Sequence, residues 1–271
     1  MLYGKTLKKV EDTTFKSISL FILDLDGTFY LGNKPYKGSL DFIERIRKKG
    51  KQFVFLTNNN AYDSTSYIKK LRHMGLDVGR EQIFTSGDAT LIYLKDHLPT
   101  AKVHLLGTPA LKRQFESHGF ELTDVLPDAA ILAFDMTLTY WKLTRFCHSV
   151  RKGIEYIATH PDPTCPDEKG DLVDTGSMIE LIYKATGRRP DEIIGKPNPS
   201  IIELLLKKFH VAKENTMIIG DRLMTDIQTG INAGIMPVLT LTGETRVEDI
   251  KASRIKPDFI VSSMEELCDL I

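Results

Sequence analysis

Cysteine and net charge are both scarce in this chain, and each shortage closes a class of function. The three cysteines, Cys147, Cys165 and Cys268, are too few and too scattered for a disulfide framework or a cysteine-rich zinc site, which suits a reducing compartment. Lys+Arg and Asp+Glu both total 36, so no global basic field exists to hold nucleic acid, and a phosphorylated ligand would have to be held by local groups. No apolar run approaches a membrane span. The segment Met1–Lys16 carries Lys5, Lys8, Lys9 and Lys16 without an apolar stretch before Leu20, so it lacks the core of a signal peptide. A soluble cytoplasmic protein is expected, with neither membrane nor nucleic acid as partner. No G-x-x-x-x-G-K-[ST] occurs, which excludes a P-loop kinase. Low-complexity segments and internal repeats are absent too, and 271 residues suffice for one large domain or two moderate ones.

The stretch around which the chain is organised is Phe21-Ile22-Leu23-Asp24-Leu25-Asp26-Gly27-Thr28. Consecutive apolar residues up to Leu25 predict a parallel strand covered on both faces. A carboxylate at Asp24 is costly there unless something positive compensates it. Asp26, two residues on, points to the same side of a strand, with its Cα roughly 6.6 Å away at about 3.3 Å per residue. Two such acids can share a metal ion or a phosphoryl group, and Gly27 frees the backbone to turn.

The pattern repeats. A helix is predicted over Ser39–Gly50, then the apolar run Gln52–Leu56 stops in Thr57-Asn58-Asn59-Asn60. Helix Ser64–Met74 and the short strand Gln82–Phe84 follow. From about Ala89 to Thr186 strands at Lys102–Leu106, Ala129–Phe134 and Glu155–Ala158 and a helix at Tyr140–Val150 lack such polar ends. We therefore expect residues 1–88 and 187–271 to form one domain, with 89–186 inserted as a second α/β domain. Polar strand ends then resume: Gly195-Lys196-Pro197-Asn198-Pro199 opens helix Ser200–Phe209, with Asn198 as cap and Pro199 at its first position. Strand Thr216–Ile219 stops in Gly220-Asp221-Arg222, and Asp226 opens helix Asp226–Ala233. Strands Pro237–Leu241 and Asp258–Val261 and helix Met264–Leu270 complete an α/β, Rossmann-like parallel-sheet core.

Ligands of open parallel sheets sit beyond the carboxyl ends of the strands. Asp24-Leu25-Asp26, Thr57-Asn58 and Gly220-Asp221 converge on that edge. Carboxylates meeting there repel unless a divalent cation joins them, and all-oxygen ligation favours Mg2+. Lys196 supplies a fixed positive charge and Thr57 with its following amides supplies donors, together cradling a phosphoryl group. A carboxylate in line with phosphorus is then a credible nucleophile giving an aspartyl-phosphate, and a neighbouring acid serves the leaving oxygen and later water. Asp24 and Asp26 are the natural pair.

These residues resemble the four ordered motifs of the haloacid dehalogenase superfamily: Asp24-Leu25-Asp26-Gly27-Thr28, Thr57-Asn58, Lys196-Pro197, and Gly220-Asp221 with Asp226. The wording Leu56-Thr57-Asn58-Asn59, Gly195-Lys196-Pro197 and Thr242-Gly243 is similar to its NagD-like and p-nitrophenyl-phosphatase-like branch. The resemblance covers nearly the whole chain after Ser19. It implies Asp24 as nucleophile and Asp26 as general acid/base. It also implies Mg2+ held by the Asp24 side chain, the Asp26 carbonyl and Asp221, with Asp226 in the same acidic cluster behind them. Thr57 and Asn58 would bind phosphate, and Lys196 would orient Asp24 and screen charge. The inserted domain would be a C2-type cap that selects the substrate.

Taken singly, each feature has a plainer explanation: Thr57–Asn60 a turn, Lys196 a solvated lysine, Asp226 an acid complementing a helix dipole. Only their joint occurrence argues for a site. His160 could lean over a substrate or lie on the surface of a Pro-rich turn. Asp135, Gly107-Thr108 and Thr175–Met178 are similar, the last being either a cap loop or the N-cap of helix Met178–Thr186. Cys147 and Met178 fit core positions. The expected activity is a Mg2+-dependent phosphatase for a small phosphorylated metabolite, a sugar phosphate or nucleoside monophosphate. A phosphotransferase or mutase using the same aspartyl-phosphate is the alternative, with a receiver-like signalling domain behind it. Oligomeric state stays open, a homodimer included.

Overall fold

The computed structural model describes residues 12–167 and 169–271, so residues 1–11 of the lysine-bearing Met1–Lys16 segment lie outside it. The chain packs as two compact units. One takes the residues up to Leu56 with Ile68–Ile83 and Lys196–Ile271; the other takes Thr57–Tyr67 and Phe84–Gly195.

The first unit is built on a six-stranded sheet. Its order is Phe259–Val261, Met236–Thr240, Thr216–Gly220, Leu20–Leu23, Gln52–Thr57, Ile83–Thr85. Leu20–Leu23 lies parallel between its neighbours, Leu23 opposite Ile219 on one side and Phe55 on the other. All four of its residues are buried, as an apolar run with no polar face requires. Successive strands step away from it in one direction early in the chain and in the other direction late, so the order reverses beside Leu20–Leu23. That reversal opens the crevice in which such sheets bind ligands. Asp24 is the next residue, its N–H donating to the Ile219 carbonyl at 2.9 Å. Helix Ser39–Lys48 covers the sheet with Phe42, Ile43 and Ile46.

Two local predictions change. Helix Ser200–Phe209 starts at Ser200, with Pro199 as its cap residue; Asn198 still accepts the Ser200 N–H at 3.0 Å. Asp226 does not open a helix. It sits inside a five-residue π-helical turn, Leu223–Ile227, that leads into helix Gln228–Ala233. Such wide turns cluster at functional sites, and here the turn carries a fully buried carboxylate that accepts the Arg222 N–H at 3.2 Å.

The second unit has a four-stranded parallel sheet ordered Glu192–Ile193, Glu155–Ala158, Ala129–Leu132, Val103–Leu106. Helices Tyr140–Arg151 and Thr175–Thr186 pack on it through Phe146, Cys147, Met178 and Ile182. Cys147 and Met178 are core residues, as expected. Thr175 begins its helix, capped by Asp174, so the helix is one turn longer than expected. Helices Ser86–His97 and Pro109–Ser117, unforeseen from periodicity, complete the unit. Among the described residues no helix is long and apolar enough to cross a membrane.

Candidate active site

Four of the expected site residues meet in the first unit. Carboxylate oxygens of Asp24, Asp221 and Asp226 lie within 4.8 Å of one another, and all three residues are buried. Lys196, 3% exposed, bridges two of them: Nζ lies 2.5 Å from Asp24 Oδ1 and 2.6 Å from Asp226 Oδ1, and donates to the Leu56 carbonyl at 3.2 Å. Asp221 is fixed on both oxygens, accepting Thr28 Oγ1–H at 2.9 Å and the Glu244 N–H at 2.7 Å. Thr242 Oγ1 ties the same loop to the Gly27 carbonyl at 2.7 Å.

Glycine is required where this carboxylate passes the chain. Gly27 has φ +90°, and a Cβ there would stand 2.5 Å from Asp221 Oδ2. A Cβ on Gly243 would fall inside the same carboxylate. Gly27, expected only to free a turn, and Gly243 thus both make room for a buried acid.

Positive charge is scarce in this cluster. Burial pushes the Asp24 carboxyl well above its ordinary range; Lys196 pulls against this, while Asp226 and Asp221 push the same way. Burial, with Asp226 beside it, raises Asp221 to about 6. Although burial opposes its charge, Asp226 and Asp24 hold the Lys196 ammonium above the usual lysine range. Among the described residues, three carboxylates share the Lys196 ammonium, with the Arg222 guanidinium acting on Asp221 from further off. A divalent cation would answer the remaining negative charge, and a donor set made only of oxygen suits Mg2+. The residues present fit such an ion.

Asp26 stands apart from this group. Its Oδ2 accepts Tyr30 Oη–H at 3.4 Å, and Oδ1 lies 4.0 Å from Lys70 Nζ, which itself rests 3.8 Å above the Tyr30 ring. Burial raises its carboxyl, with Lys70 and Tyr30 pulling back. The two acids thus share a sequence motif but keep different company, one inside an ionic cluster and one beside an aromatic ring. Neither Tyr30 nor Lys70 was singled out from sequence; Lys70 is one of two adjacent helix lysines, and only the packing distinguishes it.

Thr57 and Asn58 belong by packing to the second unit and are both buried. Thr57 Oγ1 accepts the Asn59 N–H at 3.1 Å, and Asn58 Nδ2 donates to Asp162 Oδ2 at 3.1 Å. His160 neither leans outward nor lies on a surface: it is fully buried, because Thr175, Asp162 and Asp174 surround its ring. Asp135 is buried and held by Thr137 and Lys142, and Thr108 caps helix Pro109–Ser117.

Comparison with known proteins agrees with this geometry. Residues 21–121 match the haloacid dehalogenase-like hydrolase family model and residues 193–267 match a HAD-hydrolase-like model. An acid sugar phosphatase of Staphylococcus aureus is 31% identical over 252 residues, covering 93% of this chain and 97% of its own. The crystal structure of a 4-nitrophenylphosphatase from Thermotoga maritima superposes with a TM-score of 0.92 at 45% identity, covering 94% of this chain and 98% of its own. NagD from Escherichia coli gives 0.86 at 31% identity, covering 94% and 99%. With the acids, the lysine and the sheet switch point in place, the chain belongs to the haloacid dehalogenase-like hydrolases, in their NagD-like branch.

Proposed function

We propose that this enzyme is a phosphoric monoester hydrolase that uses Mg2+ and an aspartyl-phosphate on Asp24 to hydrolyse small phosphomonoesters, sugar phosphates or nucleoside monophosphates. The observation that carries the reading is the Lys196 bridge. It engages Asp24 Oδ1 at 2.5 Å and leaves Oδ2 without a protein donor among the described residues. A carboxylate held by one oxygen presents the other in a fixed direction, which is what in-line attack on phosphorus requires. Asp24 Oδ2 forms the bond to phosphorus as the bond to the leaving oxygen breaks. Asp26 gives that oxygen a proton; its raised carboxyl keeps one more readily than a surface aspartate does. Asp26 then takes a proton from the water that cleaves the phospho-Asp24, releasing phosphate and restoring the carboxylate.

Asp24, Asp221 and the Asp26 carbonyl would hold Mg2+, with Asp226 behind them; the ion would supply positive charge to the phosphoryl oxygens. Lys196 aims the Asp24 carboxylate and works against the burial that disfavours its charge. Thr57 and Asn58 are assigned to phosphate by the motif they match, and Thr57 directly follows Leu56, whose carbonyl Lys196 holds. The names of the related phosphatases support a sugar phosphate or an aryl phosphate as substrate. The test is phosphate release from a panel of sugar phosphates, nucleotides and p-nitrophenyl phosphate, with Mg2+ and with EDTA. Metal-dependent release with a preferred substrate is expected. Folded, Mg2+-loaded protein that releases phosphate from none of them would refute the reading.

A further inference from the structure

Within the second unit, Asn58 leads into a buried polar cluster that phosphoryl transfer itself does not use. Asn58 Nδ2 donates to Asp162 Oδ2 at 3.1 Å, and the same oxygen lies 3.7 Å from His160 Nδ1. On the far side of the ring, His160 Nε2 is 3.1 Å from Thr175 Oγ1 and 3.4 Å from Asp174 Oδ1, the residue that caps helix Thr175–Thr186. His160 is completely buried and its Nδ1 makes no hydrogen bond. Two carboxylates and an imidazole are an expensive way to fill space; apolar side chains of similar volume would pack there at lower cost. A row of groups running Asp174, His160, Asp162, Asn58 therefore calls for a purpose other than packing.

The loop's backbone is anchored independently. Ser86 Oγ donates to the Asn58 carbonyl at 2.6 Å, Tyr67 Oη to the Asn59 carbonyl at 2.9 Å, and Thr108 Oγ1 to the Ala61 carbonyl at 2.9 Å. What remains to be set is the direction of the Asn58 side chain. Gly195 bounds it on one side, where a Cβ would stand 2.6 Å from Asn58 Oδ1 and 2.9 Å from His160 Cβ. Asp162 decides which end of the amide faces inward. Turning the amide over would set Oδ1 against a carboxylate, oxygen to oxygen, whereas the nitrogen donates to it.

We propose that Asp162 is a positioning residue for phosphate binding, orienting the Asn58 amide, and that His160, anchored by Thr175 and Asp174, holds Asp162 in place. This rests on the assignment of Asn58 to the substrate phosphate.

The test is a double-substitution cycle on the Mg2+-loaded enzyme, reading kcat and KM for p-nitrophenyl phosphate and inhibition by inorganic phosphate. Asp162→Leu is expected to raise KM and the phosphate inhibition constant about tenfold, the scale of one lost hydrogen bond to an oriented group, with a much smaller change in kcat. In an Asn58→Ala background the same substitution is expected to add nothing, because its effect passes through Asn58. Asp162→Asn, which keeps an oxygen acceptor, should recover most of the affinity, and His160→Gln should fall between. Should the leucine variant fail to fold, Asp162→Ser carries the same cycle. Additive effects of the two substitutions, or wild-type phosphate inhibition in the Asp162 variant, would overturn the inference while leaving the proposed function standing. Wild-type phosphate inhibition in Asn58→Ala alone would instead remove the Asn58 assignment, and the inference with it.

Discussion

Replacing Lys196 by methionine tests the centre of this site. The methionine fills a similar volume but removes the ammonium that bridges Asp24 and Asp226. Breaking a buried ion pair from one side costs about 3–5 kcal/mol, because the abandoned charges stay buried. At about 2–4 °C per kcal/mol for a folding unit of this size, the metal-free variant should melt roughly 6–20 °C below the parent. Saturating Mg2+ should recover part of that loss, since a divalent cation answers the same deficit of positive charge, and the variant should gain more from the ion than the parent does. Catalysis should fall as well, because Asp24 loses the contact that fixes its direction. Calorimetry in EDTA and in Mg2+, with kcat/KM on the same samples, decides the matter. A variant melting within about 2 °C of the parent in EDTA, less than one kcal/mol on that scale, would show that Lys196 does not hold these carboxylates.

Three further outcomes follow from the geometry. Asp24→Asn should keep the fold and abolish turnover; phosphate release above contamination by that variant would remove Asp24 as nucleophile. Asp26→Asn should slow an alkyl phosphate far more than p-nitrophenyl phosphate, whose leaving group needs no proton, and equal losses on both would exclude Asp26 as the acid. His104, packed edge-on against Phe146 and bonded to Ser149 Oγ at 2.7 Å, has its imidazole pushed down to about 4 by burial. The unfolded chain therefore binds the extra proton first. Stability present above pH 6.5 is lost as pH falls toward 4, by up to about 3 kcal/mol before allowance for water at this partly exposed ring. Melting curves between those pH values should be flatter for His104→Gln, and parallel curves would contradict the assignment.

What could be read from the residues was whatever the backbone chemistry forces. Leu20–Leu23 and Thr216–Gly220 are apolar at every position or end in glycine, so their burial and their polar ends were visible without coordinates. Asp24, Lys196, Asp221 and Asp226 could be nominated together because no single bland explanation covers all four. Helix Ser86–His97 was not visible by periodicity, since its buried positions include Ser86, Gly87, Asp88 and Thr90 as well as apolar residues. Its capping box, in which Thr85 and Asp88 exchange hydrogen bonds, was the signal available. The split between Asp24 and Asp26 was also hidden. Alternation along an ideal strand puts both on one side, but the regular strand ends at Leu23 and the chain turns at Gly27, so each acid finds its own surroundings. His160 misled for a related reason: its proline-rich neighbourhood reads as exposed, while its actual surroundings come from Asp174 and Thr175, more than a dozen residues away.

The three acceptors around Lys196 lie on segments that the chain visits far apart: Asp24 is 172 residues away in sequence, the Leu56 carbonyl 140 and Asp226 30. Each contact closes a loop between segments distant in sequence, and the entropy of closing it is recovered only as the strands that carry the acceptors dock. These acceptors for the ammonium thus come from three separate stretches of the chain. Acidity and nucleophilicity tuned for phosphoryl transfer consequently belong to the finished sheet alone, and a nascent or damaged copy of the chain carries four ordinary ionisable side chains in place of a reactive centre.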